Sequence, residues 1–438
     1  MSKTSFVNDI LHNLLNRKTL FKPFIRSKDT NDNYSVEELV HKILNAKGEA
    51  SENVFSEQLL GKIESLDQNQ LIGFFNYLAE YYDIDGIKLL EEVKKFNHNQ
   101  SPENLSSVIR RSEPTRIEIL SKLNSSERGT NRLVKLREKL LLFLKDKPNL
   151  KRVDNDFVKL FKNWFNSGFL VLKQIGWSTP ALILEKVIEY EAVHEIASWK
   201  DLRDRLEPDD RLCFSFFHPS MQHEPLIFVV VALMDGVPEN IEEVLSNDRK
   251  IVSKGNETTA VFYSISNCQK GLKGISFGNF LIKQVAQAIR TEYPNIKDFV
   301  TLSPVPDFMK WLKSEEKIFY EKLKDQSWVN NPESYKEEVI EKALDYFFKS
   351  SRPDRLPNDS VARFHLGNGA ILDRINFMGD KSVKALSSAA GLMVNYRYNI
   401  DSIEQNHEEY FKNKNIICSH SIKTLKKSFV NNKKYKIF

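Results

Sequence analysis

The chain has 438 residues, of which 41% are hydrophobic and 28% charged, with a formal net charge of +5 from 64 basic and 59 acidic side chains. This composition is typical of globular proteins, and so balanced a charge does not predict a nucleic-acid partner. No apolar run reaches the roughly 18 residues of a membrane-spanning helix, so we expect no membrane partner either, and the length predicts two domains.

The cysteines and the two ends of the chain indicate its cellular context. Cys213, Cys268 and Cys418 lie far apart without metal-ligand spacing, so neither a disulfide framework nor a metal site is expected. The first residues lack the uninterrupted apolar core of a secretory signal, and the end, KKYKIF, does not resemble a peroxisomal signal. We therefore expect a cytoplasmic protein of bacterial type.

Residues 1–165 are predicted to form a helical domain. Ser35 and Glu38 have the spacing of a capping box, and apolar residues then recur at helical intervals. Nothing in this region combines a nucleophile with a base, so we expect a structural or oligomerisation role. The apolar stripes are Leu39, Val40, Ile43 and Leu44; Leu71, Phe74, Phe75 and Leu78; Leu133, Leu136, Leu140, Phe143 and Leu144; and Phe157, Leu160, Phe161 and Trp164.

Residues 166–438 are predicted to form a second domain in which strands alternate with helices. Four segments have strand character: 212–217, 225–233, 258–266 and 299–303. Together with the helical first domain this predicts an α+β protein.

A glycine-rich loop follows the third of these strands. It carries Gly271, Gly274 and Gly278 and precedes a helix that we expect to begin near Gly278. Glycines allow the backbone to approach an anion, and a helix N-terminus attracts negative charge. The loop lacks the GxGxxG and P-loop patterns, so nicotinamide enzymes and NTPases are disfavoured. From the residues alone, a phosphate site and a simple turn of the chain remain equally open.

Two further segments contain residue types that transfer protons. Ser303 ends the fourth predicted strand, and we expect Pro304 and Pro306 to stop further pairing there. His365 lies in the segment ARFHLGNGA. On their own, the serine is more simply explained as part of a turn, and the histidine as a hydrogen-bonded core residue.

Six segments of the second domain stand out in chain order: FFHPSMQHEPLIFVVVAL, VFYSIS, GLKGISFGNFLIK, LSPVPDF, FHLGNGAILDRIN and GLMVNYRY. They occur in the order found in the malonyl-CoA decarboxylase family, which the chain resembles over roughly residues 165–400. The resemblance implies an N-terminal helical domain and a catalytic domain similar to the GNAT acyltransferases. It also implies that malonyl-CoA is converted to acetyl-CoA and carbon dioxide.

The resemblance also implies site residues. It makes Ser303 the proton acceptor and His365 the proton donor, and it implies weaker substrate-binding roles for Tyr398 and Lys186. Animal members of the family have an acid where this chain has Ser276, so a role for that acid does not transfer. The implied site for the pyrophosphate of coenzyme A is Lys273, Gly274, Ile275, Ser276, Phe277, Gly278 and Asn279.

The chemistry of this reaction explains why such residues are needed. Loss of carbon dioxide leaves an enolate, which requires hydrogen-bond donors at its oxygen and an acid for its carbon. Backbone N–H groups of the loop region are the expected donors. Because the thioester accepts the electrons, no cofactor is expected apart from the coenzyme A of the substrate.

Two other functions remain open at this point. An acyl-CoA-dependent acyltransferase of GNAT type would use the same loop, and a non-catalytic acyl-CoA sensor would bind malonyl-CoA without turnover. The apolar faces of the N-terminal helices, together with the resemblance, predict a homo-oligomer, either a dimer or a tetramer.

Overall fold

The computed structural model describes residues 34–246, 248–275, 277, 281–349 and 352–435. Over this part of the chain, helices extend to Trp164, and a mixed sheet with helices packed on it begins at Val171. The expected α+β class, a helical region followed by a sheet domain, is confirmed. The likeness of the sheet domain to GNAT acyltransferases stays a prediction from the resemblance. Among the helices described, none is both long enough and apolar enough to cross a membrane.

Six of the eight N-terminal helices described bury an apolar stripe, and the other two, the fourth and fifth in chain order, contain no buried residue. The first begins with the predicted capping box, in which Ser35 Oγ accepts a hydrogen bond from the Glu38 amide (3.1 Å). The predicted stripes lie in one hydrophobic core, to which Leu44, Leu144 and Trp164 contribute as partly buried members. The helices are α1 (Val36–Leu44), α2 (Glu49–Ser65), α3 (Gln68–Tyr81), α4 (Gly86–His98), α5 (Pro102–Arg111), α6 (Thr115–Leu123), α7 (Gly129–Phe143) and α8 (Lys151–Trp164).

The sheet of the second region has the order β1-β2-β3-β4-β5-β8-β6, with β7 also paired to β8. Neighbours from β1 to β4 are antiparallel, β4 and β5 are parallel, and β8 is antiparallel to β5, β6 and β7. The strands are β1 (Val171–Ile175), β2 (Arg211–Phe217), β3 (Ile227–Met234), β4 (Thr259–Asn267), β5 (Asp298–Thr301), β6 (Ser303–Pro304), β7 (Ile371–Asn376) and β8 (Met393–Arg397).

The helices between and after these strands cover the sheet. They are α9 (Ala181–Tyr190), α10 (Trp199–Leu206), α11 (Glu242–Leu245), α12 (Leu281–Glu292), α13 (Phe308–Glu315), α14 (Lys317–Leu323), α15 (Lys336–Phe348), α16 (Ser360–Gly367), α17 (Val383–Ala389), α18 (Ile403–Asn413) and α19 (His420–Tyr435).

The four predicted strands are present, but one expectation about them was wrong. Pro304 does not stop pairing, because Ser303 lies opposite Val394 and Pro304 opposite Met393 on β8. Proline lacks an N–H, yet its carbonyl can still join a ladder at the edge of a strand. The chain is interrupted one residue earlier, at Leu302, which separates β5 from β6.

The parallel pair β4 and β5 separates partway along the sheet. Pairing runs from Thr259 opposite Asp298 to Phe262 opposite Thr301, while β4 continues to Asn267. Among the described residues, 264–267 therefore have a strand partner only on the β3 side, and Tyr263 lies at a register shift without one. The divergence begins at the carboxyl end of β5, two residues before Ser303.

Alternation along the strands divides the buried side chains between two cores. Val300, Leu302 and Met393 belong to the core that includes α9. Phe299, Val394, Tyr396 and Tyr398 belong to the larger core, which also contains residues of α12 and α16. The face on which a strand residue lies therefore decides which helices it can meet.

Candidate active site

Ser303 and His365 lie in contact although 62 positions separate them in the chain. Ser303 is in β6 and His365 is in α16, and the distance from Ser303 Oγ to His365 Nε2 is 3.1 Å. Both residues are buried, with exposed fractions of 5% and 3%. The structure thus places a hydroxyl and an imidazole within hydrogen-bonding distance in a largely dry environment.

The helix that carries His365 is fixed at both ends. At its start, the buried carboxylate of Asp359 accepts a hydrogen bond from the Ala362 amide (2.6 Å). After its end, Gly369 has φ +81°, and a Cβ on it would lie 2.1 Å from the Ile403 carbonyl oxygen. A side chain would be excluded there on both grounds. The second glycine of the FHLGNGA segment therefore serves the geometry of the turn that ends α16.

Two tyrosines from β8 and the residue after it surround the imidazole. Tyr398 Oη lies 2.8 Å from His365 Nδ1, and the Tyr396 ring stacks on the imidazole with centroids 4.6 Å apart. Residues two apart on an extended chain lie on the same face, which brings both rings to one helix. Tyr398 itself is anchored by its amide, which donates to the Phe299 carbonyl (2.7 Å).

Thr301 completes the group and was not predicted from the sequence. Ser303 Oγ donates a hydrogen bond to Thr301 Oγ1 (2.8 Å), and the same oxygen accepts one from the Tyr396 amide (3.1 Å). Thr301 precedes Ser303 by two positions in the segment FVTLS, so the period of a strand already places the two hydroxyls on one face. That signal was available in the sequence.

These contacts determine which imidazole nitrogen carries the proton. Burial lowers the pKa of His365 to about 3 and raises the pKa of Tyr398, so the imidazole is neutral and the phenol keeps its proton at neutral pH. Tyr398 then donates to Nδ1, and the proton of the ring lies on Nε2. Tyr398 therefore donates to His365, His365 donates to Ser303, and Ser303 donates to Thr301.

Part of the predicted pyrophosphate loop is described. Gly274 has φ +80°, and no atom of the described residues lies within 4 Å of where its Cβ would be, whereas Ile275 and Phe277 are buried. Lys273 ends a short 3-10 turn that begins at Lys270. Three of the predicted loop residues, Ser276, Gly278 and Asn279, lie outside the described residues. The expected helix start near Gly278 lies outside them as well, and α12 is described from Leu281.

Lys186 is not brought to the group around His365. Its Nζ pairs with Glu189 (2.8 Å) and lies 5.3 Å from the centroid of the Tyr190 ring. Its helix, α9, packs into the core that contains Val300 and Leu302, on the other face of the sheet from His365. A substrate-binding role for Lys186 therefore stays a prediction from the resemblance.

A sizeable cavity lies elsewhere and shares no lining residue with the predicted site. It has a volume of about 690 Å³ and lies where α15 and α19 meet the segment before α19. Across the described ranges, no three His, Cys, Asp or Glu side chains cluster as metal ligands. The cavity is lined by Phe347, Phe348, Arg355, Pro357, Lys414, Asn415, Ile416, Cys418, Lys423, Lys426 and Lys427.

Family models match most of the chain. The malonyl-CoA decarboxylase C-terminal domain matches residues 168–436, and the malonyl-CoA decarboxylase N-terminal domain matches residues 82–165. The residues discussed above, Ser303, His365 and Tyr398, all lie within the first match.

Individual relatives agree with the domain models. The mitochondrial malonyl-CoA decarboxylase of Mus musculus is 34% identical over 355 residues, which cover 72% of this chain and 71% of the mouse protein. The crystal structure of malonyl-CoA decarboxylase from Rhodopseudomonas palustris is 44% identical, with a TM-score of 0.85 over 90% of this chain and 100% of that one. The corresponding structure from Agrobacterium vitis is 43% identical, with a TM-score of 0.84 over 89% and 99%. The chain therefore belongs to the malonyl-CoA decarboxylase family of carboxy-lyases.

Proposed function

We propose that the protein decarboxylates malonyl-CoA to acetyl-CoA through a thioester enolate, with Ser303 and His365 acting together in proton transfer. The observation that carries this proposal is the buried contact of 3.1 Å between Ser303 Oγ and His365 Nε2. It lies where β5 gives way to β6, beside the divergence of β4 from β5. Family membership supports the reaction, and the contact supports the choice of residues.

The balance of the reaction requires one proton per turnover. The bond between the carboxylate and the methylene carbon breaks, its electrons form the enolate, and carbon dioxide leaves. The enolate carbon then forms a new bond to a proton, and the thioester carbonyl is restored. Since the substrate carboxylate carries no proton at neutral pH, the proton must come from the enzyme and be replaced from solvent.

His365 supplies this proton, although it is neutral in the free protein. The pKa of its imidazole is low because burial removes water from the charged form. A substrate carboxylate placed beside the ring adds a negative charge, which opposes that effect and favours the imidazolium. In the substrate complex His365 is therefore protonated. Nε2 then passes a proton towards the enolate carbon beside Ser303, and His365 returns to the neutral form.

The pyrophosphate of the substrate is assigned to the loop that follows β4. We assign the pyrophosphate of coenzyme A to residues 273–279, where no described atom lies within 4 Å of the position that a Cβ on Gly274 would take. No further cofactor is needed, because the thioester carbonyl itself accepts the electrons released with carbon dioxide.

Turnover of purified protein with malonyl-CoA, without an acceptor, tests the proposal. We expect acetyl-CoA and carbon dioxide in equal amounts, which an acyltransferase or a sensor would not produce. Ser303→Ala and His365→Ala should each remove most of the activity, and the double variant should be scarcely worse than either single one, because the two residues act as a unit. Near-normal turnover by either single variant would remove that residue from the mechanism.

We further propose that the protein self-associates through the hairpin formed by α4 and α5. Neither helix contains a buried residue, and the hairpin exposes Ile87 and Ile109 by 76% and 61%. Helices this short gain most of their stability from packing an apolar face, so a second copy of the chain is the occupant that we propose for this face. A monomer in solution would refute this assignment.

A further inference from the structure

The loop assigned to coenzyme A is held by a buried ion pair of the helical region. Arg137 of α7 pairs with Asp154 of α8, with 2.8 Å between Nε and Oδ1 and side chains only 3% and 1% exposed. The Nη1 of the same arginine donates to the carbonyl oxygens of Gly271 (2.7 Å) and Lys273 (3.0 Å). One guanidinium therefore connects two helices of the first region to the backbone of the loop.

These two contacts orient the peptide groups that follow. In a trans peptide the carbonyl and the next N–H point in opposite directions. The carbonyls of Gly271 and Lys273 point towards Arg137, so the N–H groups of Leu272 and Gly274 point away from it. The Leu272 N–H is used within the loop, by the Gln269 carbonyl (2.9 Å).

The Gly274 N–H has no hydrogen-bond acceptor within the part of the chain that the structure describes. The same residue has a positive φ, and no described atom lies within 4 Å of the position of a Cβ. An unpaired backbone N–H beside open space is the kind of group that binds a phosphate oxygen. The direction of this N–H follows from the bond between Arg137 and the Lys273 carbonyl.

Two other contacts join the loop to α7 and to the residue that follows α8. A Cβ on Gly271 would lie 1.9 Å from the Val134 carbonyl oxygen, so the loop approaches α7 as closely as glycine allows. Phe277 packs edge-on against Phe165, with ring centroids 6.4 Å apart. Gly271 and Phe277, two described residues on either side of Gly274, thus both contact the helical region.

We propose that Arg137 is a positioning residue for the coenzyme A part of the substrate. By holding the Gly271 and Lys273 carbonyls, it presents the Gly274 N–H to the pyrophosphate, and the helical region thereby sets the affinity for coenzyme A. Asp154 neutralises the guanidinium, so Arg137 acts through the loop backbone rather than by contacting the anion. The inference rests on the proposed function of the loop.

Replacement of the whole ion pair tests this without leaving a buried charge. The double variant Arg137→Met with Asp154→Leu substitutes apolar groups of similar size, which proteins often tolerate. We expect the KM for malonyl-CoA to rise roughly tenfold or more while kcat changes by less than about threefold, because uniform binding is lost rather than chemistry. Arg137→Lys keeps the positive charge but lacks the planar guanidinium that bonds Asp154 and the two carbonyls together, so it should give a smaller rise in KM than the double variant.

Two comparisons separate this role from general destabilisation. The buried pair Arg116 and Asp156 lies in the same helical region, where Arg116 also pairs with the partly exposed Asp83, and it contacts no described residue of the loop. Arg116→Met with Asp156→Leu should therefore leave KM unchanged. Malonyl-pantetheine lacks the pyrophosphate, and its KM should be the same for the Arg137 variants and the wild type.

An unchanged KM for malonyl-CoA in folded Arg137 variants would overturn the inference. An equal rise in KM for malonyl-CoA and malonyl-pantetheine would also overturn it, since the effect would then not involve the pyrophosphate. If the double variant does not fold, Arg137→Lys decides by the same two criteria. Failure of the proposed function is a different result, because the wild-type protein would then show no turnover of malonyl-CoA.

Discussion

Replacing Tyr398 with phenylalanine removes the hydroxyl that lies 2.8 Å from Nδ1 of His365 and leaves the ring in place. In the resting protein this hydroxyl donates to Nδ1. Once the imidazole takes up a proton, the same oxygen must accept a hydrogen bond from Nδ1–H. The substitution therefore affects the charged form of His365, which is the form that the proposed mechanism uses.

The size of the effect follows from the burial of the pair. A hydrogen bond to a charged group contributes roughly 1.5–3 kcal/mol, and about 1.4 kcal/mol corresponds to a factor of ten in rate. Because Tyr398 is only 2% exposed, water cannot readily take the place of its hydroxyl. We expect kcat to fall by roughly 10- to 150-fold. KM should change little, because the hydroxyl bonds to His365 and not to the loop assigned to coenzyme A.

Steady-state release of acetyl-CoA by Tyr398→Phe measures this fall. Tyr346→Phe is the matched control, because it also removes a buried hydroxyl, but one that donates to Asp359 (3.3 Å) and not to His365. The control should retain kcat within about twofold, even if its thermal stability decreases. A kcat for Tyr398→Phe within about twofold of the wild type would refute the reasoning, as would an equal loss in the control.

Three further predictions concern other parts of the molecule. Burial raises the pKa of Asp359 from 3.8 to about 6, so its stabilising contribution is present below pH 3.8 and is lost as the pH rises through 6. When the free energy of unfolding is measured in urea from about pH 4 to 7, that of the wild type should fall by up to ~3 kcal/mol relative to that of Asp359→Asn. Parallel dependence of the two free energies on pH would contradict this. Binding of an acetyl-CoA analogue that carries a sulfonate should be accompanied by uptake of about one proton per site at neutral pH in the wild type, and by none in His365→Gln. Calorimetry in buffers of different ionisation enthalpy measures this uptake. Equal proton uptake by the two proteins would be evidence against a charged His365. Ile109→Glu should reduce the mass measured by light scattering without changing turnover, and an unchanged mass would exclude the hairpin as the interface.

Local features of the fold were predictable because they depend on neighbours in the chain. The capping box of Ser35 and Glu38 and the apolar stripes of α3 and α7 follow from helical spacing alone, and each lies where it was expected. The strands β2 to β5 are rich in β-branched and aromatic residues and were equally clear. Three strands, β1, β7 and β8, were not predicted. Each has only five or six residues, and short runs of this kind are defined by their partners rather than by their own pattern.

The candidate site was only partly predictable for the same reason. Ser303 and His365 were selected by resemblance, because their local sequences are explained as well by a turn and by a core histidine. Their contact depends on the pairing of β6 with β8 and on the position of α16, which are long-range features. The error about Pro304 had the same origin, since its pairing with Met393 uses a strand that was not predicted. Thr301 needed only the alternation of a strand and could have been included.

The low pKa of His365 and its proposed role as a proton donor are compatible, because the charge in the site changes during the reaction. A permanently charged imidazolium would be left without a counter-charge in a buried site once carbon dioxide has departed. A neutral imidazole becomes charged only when a carboxylate lies beside it. Acetyl-CoA lacks that carboxylate, so once the proton has moved to carbon neither the acetyl group nor the imidazole carries a charge. Burial then restores the resting state, and in the proposed mechanism the same desolvation that lowers the pKa of His365 also returns the site to its starting form.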